Sequence, residues 1–320
     1  MELSNIKTIC EKIRGNVNRV IVGKESVIDL TLIALVASGH VLLEDVPGMG
    51  KTMLAKALAL SMGCDFKRIQ FTPDLLPTDL TGLNFFNPKE GEFKFRAGAV
   101  FTNILLADEI NRATPRTQSS LLECMEERQV TIDGDTMRLS APFIVVATQN
   151  PVEIQGTFPL PEAQLDRFMV KISMNYPTSE ENVDILKRFD GASPLESLES
   201  VVTGEEIVDM QNSFSRAYIS DALLKYITDI TEATRNHAEV ILGVSPRGAL
   251  ALMRASKVRA LLSGREFVTP DDVKEIAPAV LCHRFIMKNT SRVRKGQAEA
   301  VLAQVIASVE VPTEDFEAKR

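Results

Sequence analysis

The chain has 320 residues, 45% hydrophobic and 25% charged, with a formal net charge of −7. That length suits about two domains, and that composition excludes a disordered or fibrous chain. Both halves are net acidic, which speaks against a nucleic-acid binder with its excess of basic charge.

The N-terminus mixes Glu2, Lys7, Glu11 and Lys12 into its apolar residues, unlike a signal peptide. Apolar runs such as LTLIALVA (30–37) are too short to cross a bilayer. A cytoplasmic protein without membrane insertion is expected. Cys10, Cys64, Cys124 and Cys282 are far apart with no C-x-x-C pair, and His40, His237 and His283 lack ligand-like partners, so neither a disulfide framework nor a bound transition metal is expected.

From His40 to Tyr176 short apolar, β-branched runs alternate with helix-like stretches, the pattern of a parallel α/β sheet. Five strands are predicted: HVLLED (40–45), FKRIQF (66–71), NILLADE (103–109), FIVVATQN (143–150) and FMVKISM (168–174). Their mostly unalternated hydrophobicity suits strands covered by helices on both faces. Two hairpins interrupt the pattern, one in FFNPKEGEFKFRAG, where Phe93 and Phe95 alternate about Lys94, and one in RQVTIDGDTMRLS, turning at Asp133-Gly134.

After Tyr176-Pro177 amphipathic helices take over. SDALLKYITDITEATRNH places Leu223, Leu224, Ile227 and Ile230 on one face. Thr269-Pro270-Asp271-Asp272 and Ser245-Pro246 read as capped helix starts. The domains are therefore placed at 1–176 and 177–320, with the most linker-like stretch at DGASPLESLES (190–200).

The chemistry concentrates in HVLLEDVPGMGKTMLAKALAL, a strand, a glycine-rich turn and a helix. Such a turn presents free backbone N–H groups to an anion at the positive end of the helix. Gly48 and Gly50 allow close approach of phosphate, Lys51 reaches the β/γ-phosphates, and the Thr52 hydroxyl suits Mg²⁺. Asp45 stands where G-x-x-x-x-G-K-[ST] begins with glycine, but Pro47-Gly48 still makes the turn. NILLADE ends in Asp108, which suits the Mg²⁺, and Glu109, which suits polarising the attacking water. Asn150 closes another strand and can orient that water. Arg247, in the first turn of a helix, gains nothing from the helix dipole; a phosphate in front of that helix would explain it, and a surface arginine is the alternative.

These residues in this order resemble the AAA+ ATPases, and among them the MoxR family, over nearly the whole chain. The stretches LLEDVPGMGKT, FTPDLLPTDLTG, LLADEINRATPRTQSSLLECMEERQVTIDG, VVATQNPVEIQGTFPLPEAQLDRF and GVSPRGALAL carry the likeness. The resemblance implies an αβα ATPase core with a parallel five-stranded sheet and a smaller all-helical lid, binding ATP or ADP with Mg. It implies Walker A at Asp45, Val46, Pro47, Gly48, Met49, Gly50, Lys51 and Thr52, with Met53 beside it. It also implies Walker B at Asp108 and Glu109, sensor one at Asn150, an arginine finger at Arg167 and sensor two at Arg247. Val22 and Gly23 match the segment lining the adenine pocket, and the two hairpins match the helix-two insert and the hairpin before sensor one. An arginine finger serves a neighbouring subunit's ATP, so a homo-oligomeric, hexameric ring is implied. Arg112 and Arg116 are further candidates for that neighbouring site.

The resemblance implies a chaperone-like factor that matures, remodels or assembles client proteins, often with an adaptor carrying a von Willebrand factor A domain. The alternatives are the ATPase subunit of a metal chelatase, a DNA-dependent motor, which the acidic balance disfavours, and a nucleotide-gated scaffold, which Glu109 disfavours. The basic run Arg284, Lys288, Arg292, Arg294 and Lys295 reads as a solvated face, since only Phe285 accompanies it as a stacking platform.

Overall fold

The computed structural model describes residues 1–44, 46, 48–151, 156–288 and 296–313. Asp45 and Pro47 of the glycine-rich turn, and Arg292, Arg294 and Lys295 of the basic run, lie outside the described residues.

Two helices, α1 (Leu3–Val17) and α2 (Glu25–Val36), precede β1 (Val41–Glu44), α3 (Lys51–Ser61) and β2 (Phe66–Gln70). A short helix α4 (Pro77–Thr81) leads into the first hairpin, β3 (Gly82–Asn87) with β4 (Glu92–Ala97). The chain re-enters the sheet at β5 (Ile104–Asp108), follows α5 (Pro115–Glu127), and makes the second hairpin from β6 (Gln129–Ile132) and β7 (Asp135–Arg138). Its turn residues Asp133 and Gly134 both have positive φ, 51° and 95°, as a tight two-residue hairpin turn requires. Strand β8 (Ile144–Gln149), the single turn α6 (Glu162–Leu165) and β9 (Val170–Ile172) complete the sheet.

The five strands are parallel in the order β2-β5-β8-β1-β9. Alternate side chains feed two buried clusters. Val41, Leu43, Leu106 and Val146 face one, with α1 and α3; Leu42, Leu105, Val145 and Ala147 face the other, with α5. Burial on both faces explains the continuous apolar runs. The edge strand β2 is the exception, since Lys67 and Arg68 stay exposed where no further strand covers them.

The helices that follow are α7 (Ser179–Arg188), α8 (Gly204–Ser213) and α9 (Asp221–Asn236), the last burying Leu223, Tyr226, Ile227 and Ile230. Between them, residues 190–200 are no free linker. Asn16 donates to the Glu199 carbonyl at 2.9 Å, Leu198 is buried, and the next residue, Val201, donates to the Ser61 carbonyl at 2.9 Å. Composition signals the turns there but not the anchoring.

Strand β10 (Val240–Leu242), α10 (Pro246–Leu262), α11 (Pro270–Leu281), β11 (Ile286–Met287) and α12 (Gln297–Ser308) finish the described chain. The antiparallel β10–β11 ribbon is a small addition to the helices of this region, too short to leave a periodic signal in the sequence. Ser245 and Thr269 do cap α10 and α11. Helix α10 packs against α1 and α2, so the first helices join both parts of the chain in one buried cluster. Among the described residues no helix is long and apolar enough to cross a membrane.

Candidate functional site

The carboxyl ends of β1, β2, β5 and β8 lie along one edge of the sheet, and the glycine-rich turn connects β1 to α3 there. Gly48 and Gly50 have φ of 86° and 84°, and a Cβ built on either meets nothing within 4 Å. The turn thus uses the left-handed freedom of glycine and leaves open space before the first turn of α3, whose N–H groups favour an anion. A cavity of about 380 Å³ occupies that space, lined by Gly48, Gly50, Lys51, Thr52 and Met53 on one side and by Asp108, Glu109 and Asn150 on another. Strand β2 supplies its remaining wall, Arg68 and Gln70.

Beside it lies a smaller cavity of about 140 Å³, whose wall includes Val20, Ile21, Val22, Met49, Met174 and Phe189. Gly48, Gly50 and Met53 line both cavities, so the polar and apolar spaces are contiguous. Gly23 has φ 65° and approaches the Glu181 side chain so closely that a Cβ would overlap it. Lys24 pairs with Glu181 at 3.6 Å, and Glu181 caps α7 with Thr178. The segment at Val22 and Gly23 is thereby seated against the start of α7.

The two acids at the carboxyl end of β5, Asp108 and the residue after the strand, Glu109, are held differently. Asp108 accepts from the Thr148 hydroxyl at 2.6 Å through Oδ1 and from Arg68 at 2.6 Å through Oδ2. The Glu109 backbone adopts φ 55°, a left-handed conformation that costs an L-residue roughly 1–2 kcal/mol. Its N–H donates to the same Thr148 hydroxyl at 2.8 Å, and its Oε2 accepts from Gln70 at 2.7 Å and Arg112 at 3.0 Å. Thr148 is fully buried, so one hydroxyl fixes both acids relative to β8. Asn150, also buried, follows that strand and reaches the cavity wall.

Arg167 and Arg247 are elsewhere. They line a third cavity of about 350 Å³, together with Gly39, His40, Arg128 and Met169. Gly39 and His40 precede β1, and Met169 precedes β9, so this cavity opens at the amino edge of the sheet. At about 3.3 Å per residue, β1 separates the two edges by on the order of 15 Å. Arg247 pairs with Glu126 at 2.9 Å. Arg112 contacts Glu109 of its own chain, and Arg116 is exposed.

Arg68, Gln70 and Thr148 were not among the residues expected from the sequence, and Arg284 was expected on a solvated face. The first two had a signal: Arg68 and Gln70 are polar residues two apart in a strand, hence on one face, and the register sets Gln70 opposite Asp108. Thr148 looked like any β-branched strand residue. Arg284 is buried, not part of a solvated face. Its chain neighbour His283 and the distant His40 are also buried. His40 is satisfied by the Val145 N–H on Nδ1 and the Met125 carbonyl on Nε2, each 3.0 Å away.

A five-stranded parallel sheet in this order, a phosphate-type turn after its β1 strand, two acids at the end of β5 and the helices that follow the sheet are those of the AAA+ fold with its lid. Residues 40–170 match the family model described as ATPase family associated with various cellular activities (AAA), and 232–305 match the AAA lid domain. The chain is 40% identical to Chaperone MoxR1 of Mycobacterium tuberculosis, over 92% of this chain and 80% of that one. It is 51% identical to the uncharacterized protein YeaC of Bacillus subtilis, over 93% of each. A crystal structure from Cytophaga hutchinsonii superposes with a TM-score of 0.89 at 37% identity, covering 97% of both chains. The chain belongs to the MoxR family of AAA+ ATPases.

Proposed function

We propose that this protein is a Mg-dependent ATPase that works as a homo-oligomeric, hexameric ring in the cytoplasm and remodels or matures client proteins. The observation that carries the reading is the meeting of the Gly48–Thr52 turn with Asp108, Glu109 and Asn150 in one cavity that continues into an apolar slot. The purine sits in the slot beside Val22 and Met49, and the phosphates lie before α3, where backbone N–H groups and the Lys51 ammonium balance their charge. Thr52 and Asp108 offer the hard oxygen donors that suit Mg²⁺, which would supply charge neutralisation on the β/γ-phosphates. Glu109 polarises the attacking water and Asn150 orients it.

Arg167 and Arg247 serve a different copy's ATP. They sit at the opposite edge of the sheet from their own chain's turn, too far to serve the phosphates bound there, whereas an arginine fork at that edge suits the phosphates of a neighbour. The 1–176 segment forms the ATPase unit and 177–320 the lid that carries Arg247. The similarity to MoxR1 spans 92% of this chain, whereas a magnesium-chelatase subunit homologue of Methanocaldococcus jannaschii matches only 58% at 27% identity, which favours a chaperone-like output over a chelatase. Adaptors with von Willebrand factor A domains are the partners to test for.

The test is phosphate release from ATP with magnesium and with EDTA, beside fluorescent-nucleotide binding. Lys51→Ala loses affinity because a compensating charge is gone, whereas Glu109→Gln binds ATP and scarcely hydrolyses it. Near-normal turnover by Glu109→Gln refutes the role given to that carboxylate.

A further inference from the structure

The guanidinium of Arg284, just past α11, uses all five of its N–H donors inside the protein. Nε donates to Asp166 Oδ1 at 2.7 Å. Nη1 donates to the carbonyls of Met169, at 3.0 Å, and Val280. Nη2 donates to the carbonyls of Asp166, at 3.1 Å, and Phe168, at 2.7 Å. The side chain is 2% exposed. Burying a cation this way is costly unless every donor is satisfied, and here each one is.

Three of the accepting carbonyls belong to residues 166, 168 and 169, which bracket Arg167. The same carboxylate that binds Nε accepts, through Oδ2, the Ser245 hydroxyl at 2.8 Å. Ser245 caps α10 and stands two residues before Arg247. Gly248 completes the arrangement. A Cβ there would lie 3.0 Å from Arg284 Cδ and 2.5 Å from Val244 Cγ1, so glycine lets the arginine stem pass beneath the first turn of α10. His283 adds a contact to the Phe168 carbonyl at 3.0 Å.

We infer that Arg284 is a positioning residue: through Asp166 and Ser245 it sets Arg167 and Arg247 as one rigid pair for the phosphates of a neighbouring copy. This rests on the shared-site reading above. An anchor that only held the lid to the sheet would not need to bracket Arg167 and, with one carboxylate, hold the serine that caps the helix of Arg247. Loss of the planar fork therefore displaces both arginines while leaving the chain's own nucleotide cavity intact. Positioning errors of this kind act on turnover, not on binding.

The test is steady-state ATP hydrolysis, fluorescent-nucleotide binding and subunit mixing on the full-length protein carrying Arg284→Lys, which keeps the charge but not the fork. The expected result is a kcat lowered on the order of 10- to 100-fold, with KM and nucleotide affinity within about two-fold of the parent. Adding Glu109→Gln subunits should partly restore turnover, because they present an intact arginine pair to the Arg284→Lys subunit's site. Arg167→Ala, mixed in the same way, is the control. A kcat within about two-fold of the parent overturns the inference, as does a defect that Glu109→Gln subunits fail to relieve while relieving that of Arg167→Ala. If the Arg167→Ala control is itself unrelieved in co-assembled mixtures, the shared-site reading fails first, and this inference with it. Should Arg284→Lys not fold, Ser245→Ala removes the outer hydroxyl of the network together with the cap of α10, while Ser245→Thr keeps both. The inference then expects a smaller loss of kcat in Ser245→Ala, judged by the same criteria, and near-parent kcat in Ser245→Thr.

Discussion

Gln70, at the end of the edge strand, donates its side-chain amide to Glu109 Oε2 at 2.7 Å. The carboxylate proposed to polarise water is thus engaged through Oε2, with Arg112 on the same oxygen. In the proposed role of base, Glu109 takes the attacking water in competition with these two donors, which draw on the charge of the carboxylate. Hydrogen bonds to a charged group contribute about 1.5–3 kcal/mol each, enough to weigh in that competition. Gln70→Ala should raise basal phosphate release several-fold, with nucleotide affinity unchanged. A fall in turnover would mean that Gln70 orients Glu109 for the reaction instead of restraining it.

The two hairpins touch through Asn84, whose amide donates to Asp133 at 2.8 Å. The first of them exposes Phe86 and Phe93, 51% and 74% accessible, stacked edge to face at 5.5 Å. Chain order links these hairpins to the reaction: the first precedes β5 and the second leads into β8. A shift at Asp108 or Asn150 can therefore reach them, provided a two-state contact lies between. Replacing residues 89–94 with a Gly/Ser turn should leave basal hydrolysis unchanged and reduce its stimulation by a captured partner protein. Unchanged stimulation would remove this hairpin from the output.

Burial, aided by the Arg128 charge, holds His40 down at about 3, although the Met125 carbonyl opposes the shift. Burial and the Arg284 charge also lower His283 well below its ordinary value. In the unfolded chain both titrate near 6.5, so below that pH the unfolded state binds protons that the native state refuses. Stability is therefore full above about pH 6.5 and is lost as pH falls below it, toward about 3 for His40, on the order of 1 kcal/mol per pH unit for each histidine. Urea midpoints at about pH 7.5 and 5.5 bracket the onset while staying above the carboxylate range. The midpoint should drop at the lower pH, and His283→Gln should reduce that drop. Equal midpoints would contradict the buried neutral histidines.

The parallel sheet was legible because strands buried on both faces are written as unbroken apolar runs, and β1, β5 and β8 each carry one. The turn was legible because Gly48, Gly50, Lys51 and Thr52 are contiguous. What the sequence concealed depends on contacts far apart in the chain. Thr148 serves Asp108 across 40 residues, and Arg284 serves Asp166 across 118. A basic residue in a basic run looks solvated until the fold shows its donors turned inward. The placement of Arg167 and Arg247 at the amino edge was hidden for the same reason, since it follows from which end of the sheet each loop occupies.

The proposed shared site rests on that placement, and subunit mixing tests it most directly. Arg167→Ala keeps its own Glu109, and Glu109→Gln keeps its own Arg167, so each is inactive alone. In a mixed ring, every Arg167→Ala site served by a Glu109→Gln neighbour regains both groups. Phosphate release, measured as one inactive protein is titrated with the other, should rise from near zero and peak at intermediate ratios. Mixtures that demonstrably co-assemble and yet stay inactive at every ratio would contradict the shared site.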